Sequence, residues 1–217
     1  MSALFKSALA QAELLNRRQI SAVELMQDTL ARIKKINPQV NAIISLREEA
    51  DLLVQAAQAD KSSRTGWMHG LPIAIKDLHD VKDMPSSMGS AIFADYIAEK
   101  DDIAVARVRA AGAIIIGKTN TPEFGLGSHT YNAVHGATYN PYDLSKSAGG
   151  SSGGAAAALS TRMLPLADGS DMMGSLRNPA AWNNVYGFRP SFGLVPSEPG
   201  AEMFLQQNTT QGPMARS

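Results

Sequence analysis

The chain has 217 residues, of which 44% are hydrophobic and 18% are charged, and this composition is typical of a folded globular protein rather than a disordered one. Twenty lysines and arginines balance twenty aspartates and glutamates, so the net charge is zero and a nucleic-acid partner is disfavoured. The absence of cysteine excludes disulfides, thiolate zinc sites and cysteine nucleophiles.

The sequence shows no recognisable targeting signal for another compartment. Its N-terminal segment lacks a basic start followed by an apolar core and a small-residue cleavage site, so it does not read as a signal peptide. No apolar run approaches the length of a membrane span. We therefore expect a cytoplasmic protein without a membrane partner.

The first part of the chain, residues 1–62, is predicted to form a helical layer. Ser21 is the predicted N-cap of one helix, and Glu24 completes a capping box with it, whereas Pro38 is expected just past the end of that helix. The remaining predicted elements of this layer are helices at 3–15 and 47–61 and a short strand at 40–46.

From residue 63 onward, strands alternate with helices. A helix is predicted to stop at Gly112 and to lead directly into a fully apolar strand. Helix followed by apolar strand predicts an α/β fold. The predicted elements are strands at 70–77 and 113–120, helices at 101–112 and 155–164, and a turn-rich region at 123–154. Residues 164–182 are predicted to form a strand that enters a loop, followed by a short helix.

A glycine-serine stretch, Lys146–Ala158, reads KSAGGSSGGAAAA and allows three interpretations. A linker is disfavoured because the stretch runs directly into a helix. A phosphate-binding loop is disfavoured because no Lys-Ser/Thr pair follows the last glycine. A dinucleotide-binding loop needs a preceding strand, and residues 139–148 do not read as one. An active-site role remains, and it requires a base and further partners elsewhere in the chain.

Candidate bases for a nucleophilic serine are four histidines and one lysine. The histidines do not lie in a recognisable triad motif, and we interpret each as a polar residue with ordinary hydrogen-bond partners. Lys76 follows five uncharged residues at the end of a predicted buried strand, where burial would lower its pKa. From this alone, a lysine that reaches solvent is the commoner explanation. The four histidines are His69, His79, His129 and His135.

A second serine-glycine segment, at 168–181, contains Ser175 just before a predicted helix. Backbone N–H groups at such a turn converge on one point and suit an oxyanion. A plain N-cap serine is the commoner explanation of a lone serine there.

Taken together, four ordered segments resemble the amidase signature family. That resemblance implies a mixed central β-sheet flanked by helices, of which this chain would hold the N-terminal half to two-thirds. It also implies one incomplete domain, with residues 1–62 as its helical N-terminal layer and residues 63–217 as its catalytic α/β core. The segments are Gly70–Ser90, Ala111–Gly125, Asn140–Leu159 and Asp168–Pro196.

The resemblance implies a Ser–Ser–Lys triad and no metal or organic cofactor. Ser175 matches the nucleophile, Ser151 matches the serine that follows a cis peptide and bridges to the lysine, and Lys76 matches the base. Ser151 and Ser175 are 24 residues apart, as the family pattern places them. The resemblance further implies an oxyanion hole of backbone N–H groups from Met172, Met173, Gly174 and Ser175, with support from Ser152, Asp171 and Arg177.

The sequence departs from the family pattern in two ways. Met173 stands where the family usually has a glycine, and a glycine-type φ there would cost about 1 kcal/mol or more. Its side chain would also narrow the acyl pocket. The chain is about half the usual family length, so part of the pocket wall would be absent.

Three functions remain open from the sequence. The first is a serine-dependent amidase that hydrolyses a small carboxamide through an acyl-enzyme intermediate. The second is the A subunit of a tRNA-dependent Glu/Asp amidotransferase, which would not itself bind nucleic acid. The third is a catalytically inert fragment that serves as an assembly or binding module. Low net charge and an unfinished sheet are compatible with a homodimer.

Overall fold

The computed structural model describes residues 2–197 and 206–217. Residues 198–205, inside the predicted α/β core, lie outside the described part, as does Met1. Six α-helices are described: α1 (Ala8–Asn16), α2 (Ala22–Val40), α3 (Glu49–Lys61), α4 (Ile103–Ala110), α5 (Gly153–Ser160) and α6 (Arg177–Trp182). Short 3₁₀ turns occupy Ala3–Phe5, Ala91–Phe93 and Glu123–Gly125.

Ten short strands are described within these ranges. They are β1 (Ile43–Ile44), β2 (Pro72–Lys76), β3 (Ile114–Thr119), β4 (Tyr131–Asn132), β5 (Gly136–Ala137), β6 (Tyr139–Asn140), β7 (Asp143–Ser147), β8 (Leu166–Asp171), β9 (Tyr186–Gly187) and β10 (Thr210–Ala215).

Two three-stranded sheets form the centre of the fold. The first has the order β1-β3-β2, with β2 parallel and β1 antiparallel to β3. The second has the order β8-β10-β9 and is antiparallel throughout. Strand β2 packs beside β8, so the two sheets meet at their edges. The predicted α/β class with a mixed, helix-flanked sheet is confirmed.

Helix α5 lies at the centre of the main core. Its four alanines, Ala155–Ala158, are completely buried and belong to the same apolar cluster as residues of α2, α3 and β3. Gly154 lets this helix approach the neighbouring backbone, because a Cβ there would lie 2.3 Å from the Asn120 nitrogen. This close packing sets the N-terminal end of α5, with its serines, next to the sheet.

Several sequence predictions of local structure are confirmed. The Ser21 side chain accepts the Glu24 N–H while the Glu24 carboxylate accepts the Ser21 N–H, which is the predicted capping box. Helix α4 ends two residues before Gly112, which has φ 92°. In the described part of the chain, no helix is long and apolar enough to cross a membrane.

Three boundary predictions are wrong. Pro38 lies inside α2, because buried Val40 packs in the core and Asn41 ends the helix in the left-handed conformation. The predicted helix at 3–15 is interrupted, since Ser7 caps α1 anew. Residues 143–147 form strand β7, paired with β6. This strand is exposed along most of its length, so it has no apolar alternation to reveal it.

Candidate active site

Lys76 is the last residue of β2 and is completely buried. Its ammonium nitrogen is surrounded by hydroxyl groups rather than by carboxylates. Nζ donates to Ser151 Oγ at 2.6 Å, to Ser152 Oγ at 2.9 Å and to Ser170 Oγ at 3.0 Å. Ser151 and Ser152 directly precede α5, and Ser170 lies on β8. The fold therefore brings three separate segments of the chain together at this amine.

Burial lowers the pKa of Lys76 from 10.5 to about 7, although the carboxylates of Asp168 and Asp171 act in the opposite direction. Uncharged hydroxyl groups do not fully compensate for the hydration that the ammonium form loses on burial. Near neutral pH, the neutral and charged forms are therefore similarly populated, and the amine can accept a proton.

Ser151 is buried, and the peptide bond that precedes it, Gly150–Ser151, is cis. Gly150 is tightly enclosed, since a Cβ there would lie 3.0 Å from the His129 backbone nitrogen. The next residue, Ser152, donates its N–H to the Ser175 carbonyl at 3.1 Å. One backbone hydrogen bond thus joins the two serine segments.

Ser175 lies at the entrance of α6 and is partly exposed. Within the described ranges its hydroxyl makes no hydrogen bond with Ser151. The structure therefore brings Lys76 and Ser151 into direct contact, and it holds Ser175 beside them through the backbone.

Asp171 organises the loop that carries Ser175. Its carboxylate accepts the N–H groups of Gly174 at 2.8 Å and Leu176 at 3.1 Å, and the Arg177 guanidinium donates to both oxygens at 3.0 Å. Arg189 Nε lies 3.3 Å from the same carboxylate. Burial alone would raise the pKa of Asp171, but these hydrogen bonds outweigh it and hold the pKa well below its usual range. The carboxylate therefore stays ionised and braces the loop.

The four N–H groups of the predicted oxyanion hole do not have equal surroundings. Gly174 donates its N–H to Asp171, so this group is already engaged. Those of Met172, Met173 and Ser175 donate to no protein acceptor among residues 2–197 and 206–217. Three of the four N–H groups therefore remain available as hydrogen-bond donors.

The Met173 departure causes no backbone strain. The positive φ of this loop falls on Gly174, at 113°, and Met173 is not among the residues with positive φ. A Cβ on Gly174 would lie 2.8 Å from the Asn178 amide, so glycine is required there. The Met173 side chain is 86% exposed, which places it on the surface of this part of the protein.

Sequence analysis did not single out two residues that touch Lys76. Ser170 accepts a hydrogen bond from Lys76 Nζ, and Asp168 Oδ1 accepts the Lys76 backbone N–H at 2.9 Å. Both lie on β8 with one residue between them, so they share a face of the strand. The sequence feature that could have identified them is the alternation of side chains along a strand, which puts residues 168 and 170 on the same face as each other.

A second buried lysine lies close by. Lys118 Nζ is 3.1 Å from Asp77 Oδ1, and both side chains are completely or almost completely buried. Lys118 also donates to Ser86 Oγ, and Ser87 donates to the other Asp77 oxygen. Because Asp77 follows Lys76 directly, this ion pair fixes the end of β2.

The histidine side chains contact groups other than the two predicted catalytic serines. His69 Nε2 lies 2.9 Å from the Ala59 carbonyl, His135 Nε2 lies 3.0 Å from Ser87 Oγ, and the His129 ring packs against Trp182. None of the four is hydrogen-bonded to Ser151 or Ser175 in the described residues. No group of three or more His, Asp or Glu side chains there could hold a metal ion.

A cleft opens beside Ser170, next to the buried amine. Its lining includes the apolar side chains of Leu78, Met88 and Phe124 and the polar side chain of His79. Ser175 is not part of its lining. The cleft therefore contacts the site through Ser170, a hydrogen-bond partner of Lys76, rather than through the partly exposed Ser175.

A family model described as Amidase matches residues 24–217. The chain belongs to the amidase family. This confirms the resemblance drawn from the glycine-serine segments and the lysine strand.

Relatives and solved structures agree with this membership. The A subunit of glutamyl-tRNA(Gln) amidotransferase from Coxiella burnetii is 44% identical over 206 residues, covering 94% of this chain and 42% of that protein. The structure of 6-aminohexanoate cyclic dimer hydrolase with substrate has a TM-score of 0.91 and 33% identity, covering 100% of this chain and 45% of that one. A bacterial aryl acylamidase gives 0.89 and 32%, covering 98% and 45%. The chain thus spans less than half the length of these amidase-family proteins.

Proposed function

We propose that the protein is a serine-dependent amide hydrolase that acts on a small carboxamide. Ser175 would be the nucleophile, Ser151 the proton bridge and Lys76 the base. The observation that carries this proposal is the 2.6 Å contact between the buried Lys76 amine and Ser151 Oγ, at a lysine whose pKa is lowered to about 7. A neutral amine so placed can take a proton that a free lysine at the surface cannot take.

The proposed reaction proceeds through an acyl-enzyme. Ser175 Oγ attacks the amide carbonyl carbon while its proton passes to Ser151 and the Ser151 proton passes to Lys76. The free N–H groups of the Met172–Met173 turn and of Ser175 stabilise the oxyanion. The C–N bond then breaks, and the amine leaves with the proton returned from Lys76. Water hydrolyses the ester by the same route, and no metal or organic cofactor takes part.

A serine-directed fluorophosphonate tests this proposal. We expect the probe to label the protein, and the Ser175→Ala variant to lose the label. The matched control is Ser191→Ala, at an exposed serine, which keeps it. Absence of labelling in a folded wild-type protein would contradict the proposal and support the inert assembly module.

A second candidate function is that of the A subunit of a tRNA-dependent amidotransferase. It is favoured by the 44% identity to a protein of that name. The two functions share the Ser–Ser–Lys chemistry and differ in the amide that is used and in the need for partner subunits. Release of ammonia from glutamine that increases when partner subunits are added would favour the second. Hydrolysis of a simple aryl amide by the protein alone would favour the first.

A further inference from the structure

The carboxylate of Asp168 connects the Lys76 strand to a histidine that the proposed reaction does not use. Its Oδ1 accepts the Lys76 backbone N–H at 2.9 Å. Its Oδ2 lies 3.9 Å from His79 Nε2. Asp168 is thus fixed on one side by the base's own backbone and approached on the other side by an imidazole.

The His79 ring is nine-tenths buried and is held from its far side. Nδ1 lies 3.3 Å from Asp102 Oδ2 and 3.2 Å from the Gln211 amide nitrogen. In the tautomer that accepts the Gln211 N–H at Nδ1, the ring proton lies on Nε2 and faces Asp168. Nε2 has no hydrogen-bond partner in the described residues.

The two carboxylates that act on Lys76 differ in how their charge is balanced. Asp171 is paired with two guanidinium groups, those of Arg177 and Arg189. Asp168 has His79 as its ion-pair neighbour in the described part of the chain. The imidazole of His79 is therefore the ionisable side chain placed beside the Asp168 carboxylate.

Ionisable and polar groups face the imidazole from each element packed against it. Asp102 lies at the start of α4, Gln211 on β10, and Asp168 with Ser170 on β8. Asp80, the next residue after His79, accepts a hydrogen bond from the Tyr96 hydroxyl at 3.2 Å.

We propose that Asp168 and His79 are positioning residues for the Lys76 base. Asp168 fixes the lysine backbone, and its negative charge favours the ammonium form of the side chain. His79 directs an N–H at that carboxylate and so weakens its effect on the lysine. This inference rests on the proposed function, in which Lys76 accepts the proton of the nucleophile through Ser151.

The pH profile of kcat/KM for a simple aryl amide tests the proposal, because its acid limb reports the base of the free enzyme. Asp168→Asn keeps an oxygen that can accept the Lys76 N–H but removes the charge, so the limb moves to lower pH by about one unit or more. His79→Ala leaves the Asp168 charge unweakened, so the limb moves the opposite way, to higher pH. Asp95→Asn, at an exposed carboxylate, is the matched control and leaves the limb in place.

The double variant decides whether His79 acts through Asp168. In the Asp168→Asn background, His79→Ala is expected to produce no further shift, because the charge that it modulates is gone. An undiminished shift in that background would overturn the proposal, and so would an unmoved limb in both single variants.

A second readout separates this inference from the proposed function. An NMR titration of protein labelled with carbon-13 at the lysine side chains follows Lys76 without any turnover, with Lys76→Met identifying its signal. The same opposite shifts are expected there. If those shifts appear but Lys76→Met keeps wild-type turnover, the base assignment fails and the positioning role falls with it. If Lys76→Met is inactive and the lysine titration is unchanged in both variants, only the positioning role is lost.

Discussion

Lys76 and Lys118 lie at the ends of two adjacent parallel strands, and both are completely buried. Their surroundings differ in one respect. Lys76 faces three serine hydroxyls, whereas Lys118 faces the carboxylate of Asp77 at 3.1 Å. Hydroxyls satisfy the hydrogen bonds of an amine but do not neutralise its charge, while a carboxylate does both. The partner group, and not burial itself, therefore distinguishes the two lysines: among the described residues the amine of the proposed base has only hydroxyl partners, whereas Lys118 forms an ion pair.

The largest expected effect is the loss of activity when Lys76 is replaced. Lys76→Met replaces the amine by an apolar chain of similar shape, so the serine bridge loses its proton acceptor. Turnover of a simple amide is expected to fall by about 10²–10⁴-fold. The free energy of unfolding at pH 7 should not fall, because the variant removes a buried amine whose ammonium form is disfavoured by burial. A variant that keeps wild-type turnover but loses several kcal/mol of stability would reverse the roles given to the two lysines.

At Lys118 the expected effect is on stability. Lys118→Met leaves the Asp77 carboxylate buried without its cation, and loss of one partner from a buried pair costs about 3–5 kcal/mol. Urea denaturation followed by circular dichroism measures this loss. The double variant Lys118→Met/Asp77→Asn removes both charges and should recover most of the stability. If the double variant is no more stable than the single one, the ion pair is not the reason for the loss.

The pH dependence of stability tests the lowered pKa of Lys76 without any substrate. Because the folded-state pKa of Lys76 is lowered from 10.5 to about 7, the unfolded chain binds more protons than the folded one between these values. The contribution of Lys76 to stability therefore increases as pH rises from about 7 to 10.5, and it is least favourable below pH 7. Measured against Lys76→Met, the wild-type protein should gain stability over this range. A constant difference between the two proteins across the range would show that Lys76 has an ordinary pKa when folded.

A smaller effect is expected at Ser170. Ser170→Ala removes one of the three hydroxyls on Lys76 and leaves Ser151 and Ser152 in place. The loss of one hydrogen bond corresponds to about 1 kcal/mol, or roughly a fivefold reduction in kcat/KM. Ser160→Ala, on the partly exposed end of α5, is a control with no contact to the lysine. Equal rates in the two variants would remove Ser170 from the site.

Features that depend on neighbours in sequence were predictable. The capping box of Ser21 and Glu24 is a contact over three residues, and the apolar run before Lys76 by itself predicts a buried strand. The connection of Lys76 with the two serine segments came from the family resemblance, because the residues by themselves did not link the three segments. The nearness of Ser151 to the lysine amine agrees with that connection.

Features that depend on distant partners were not predictable from local pattern. Asp168 approaches Lys76 only because β8 packs beside β2, over 92 residues of sequence. The same is true of Gly174, whose N–H was predicted to face an oxyanion and instead donates to Asp171. Pro38 shows the reverse case, in which packing of a neighbouring residue overrides a strong local signal.

Helix α5 determines the spacing of the whole centre. Its first six residues, Gly153–Ala158, are glycine or alanine and are all buried, and the alanines belong to the main apolar cluster together with Leu159. Because these side chains are so small, the backbone of the helix lies very close to the elements packed against it. A larger side chain at any of these six positions, even a valine, would push the entire serine turn outward from the amine rather than disturb one contact. The geometry of the centre is therefore set by residues that perform no chemistry, and tolerance to substitution should be lowest along this helix.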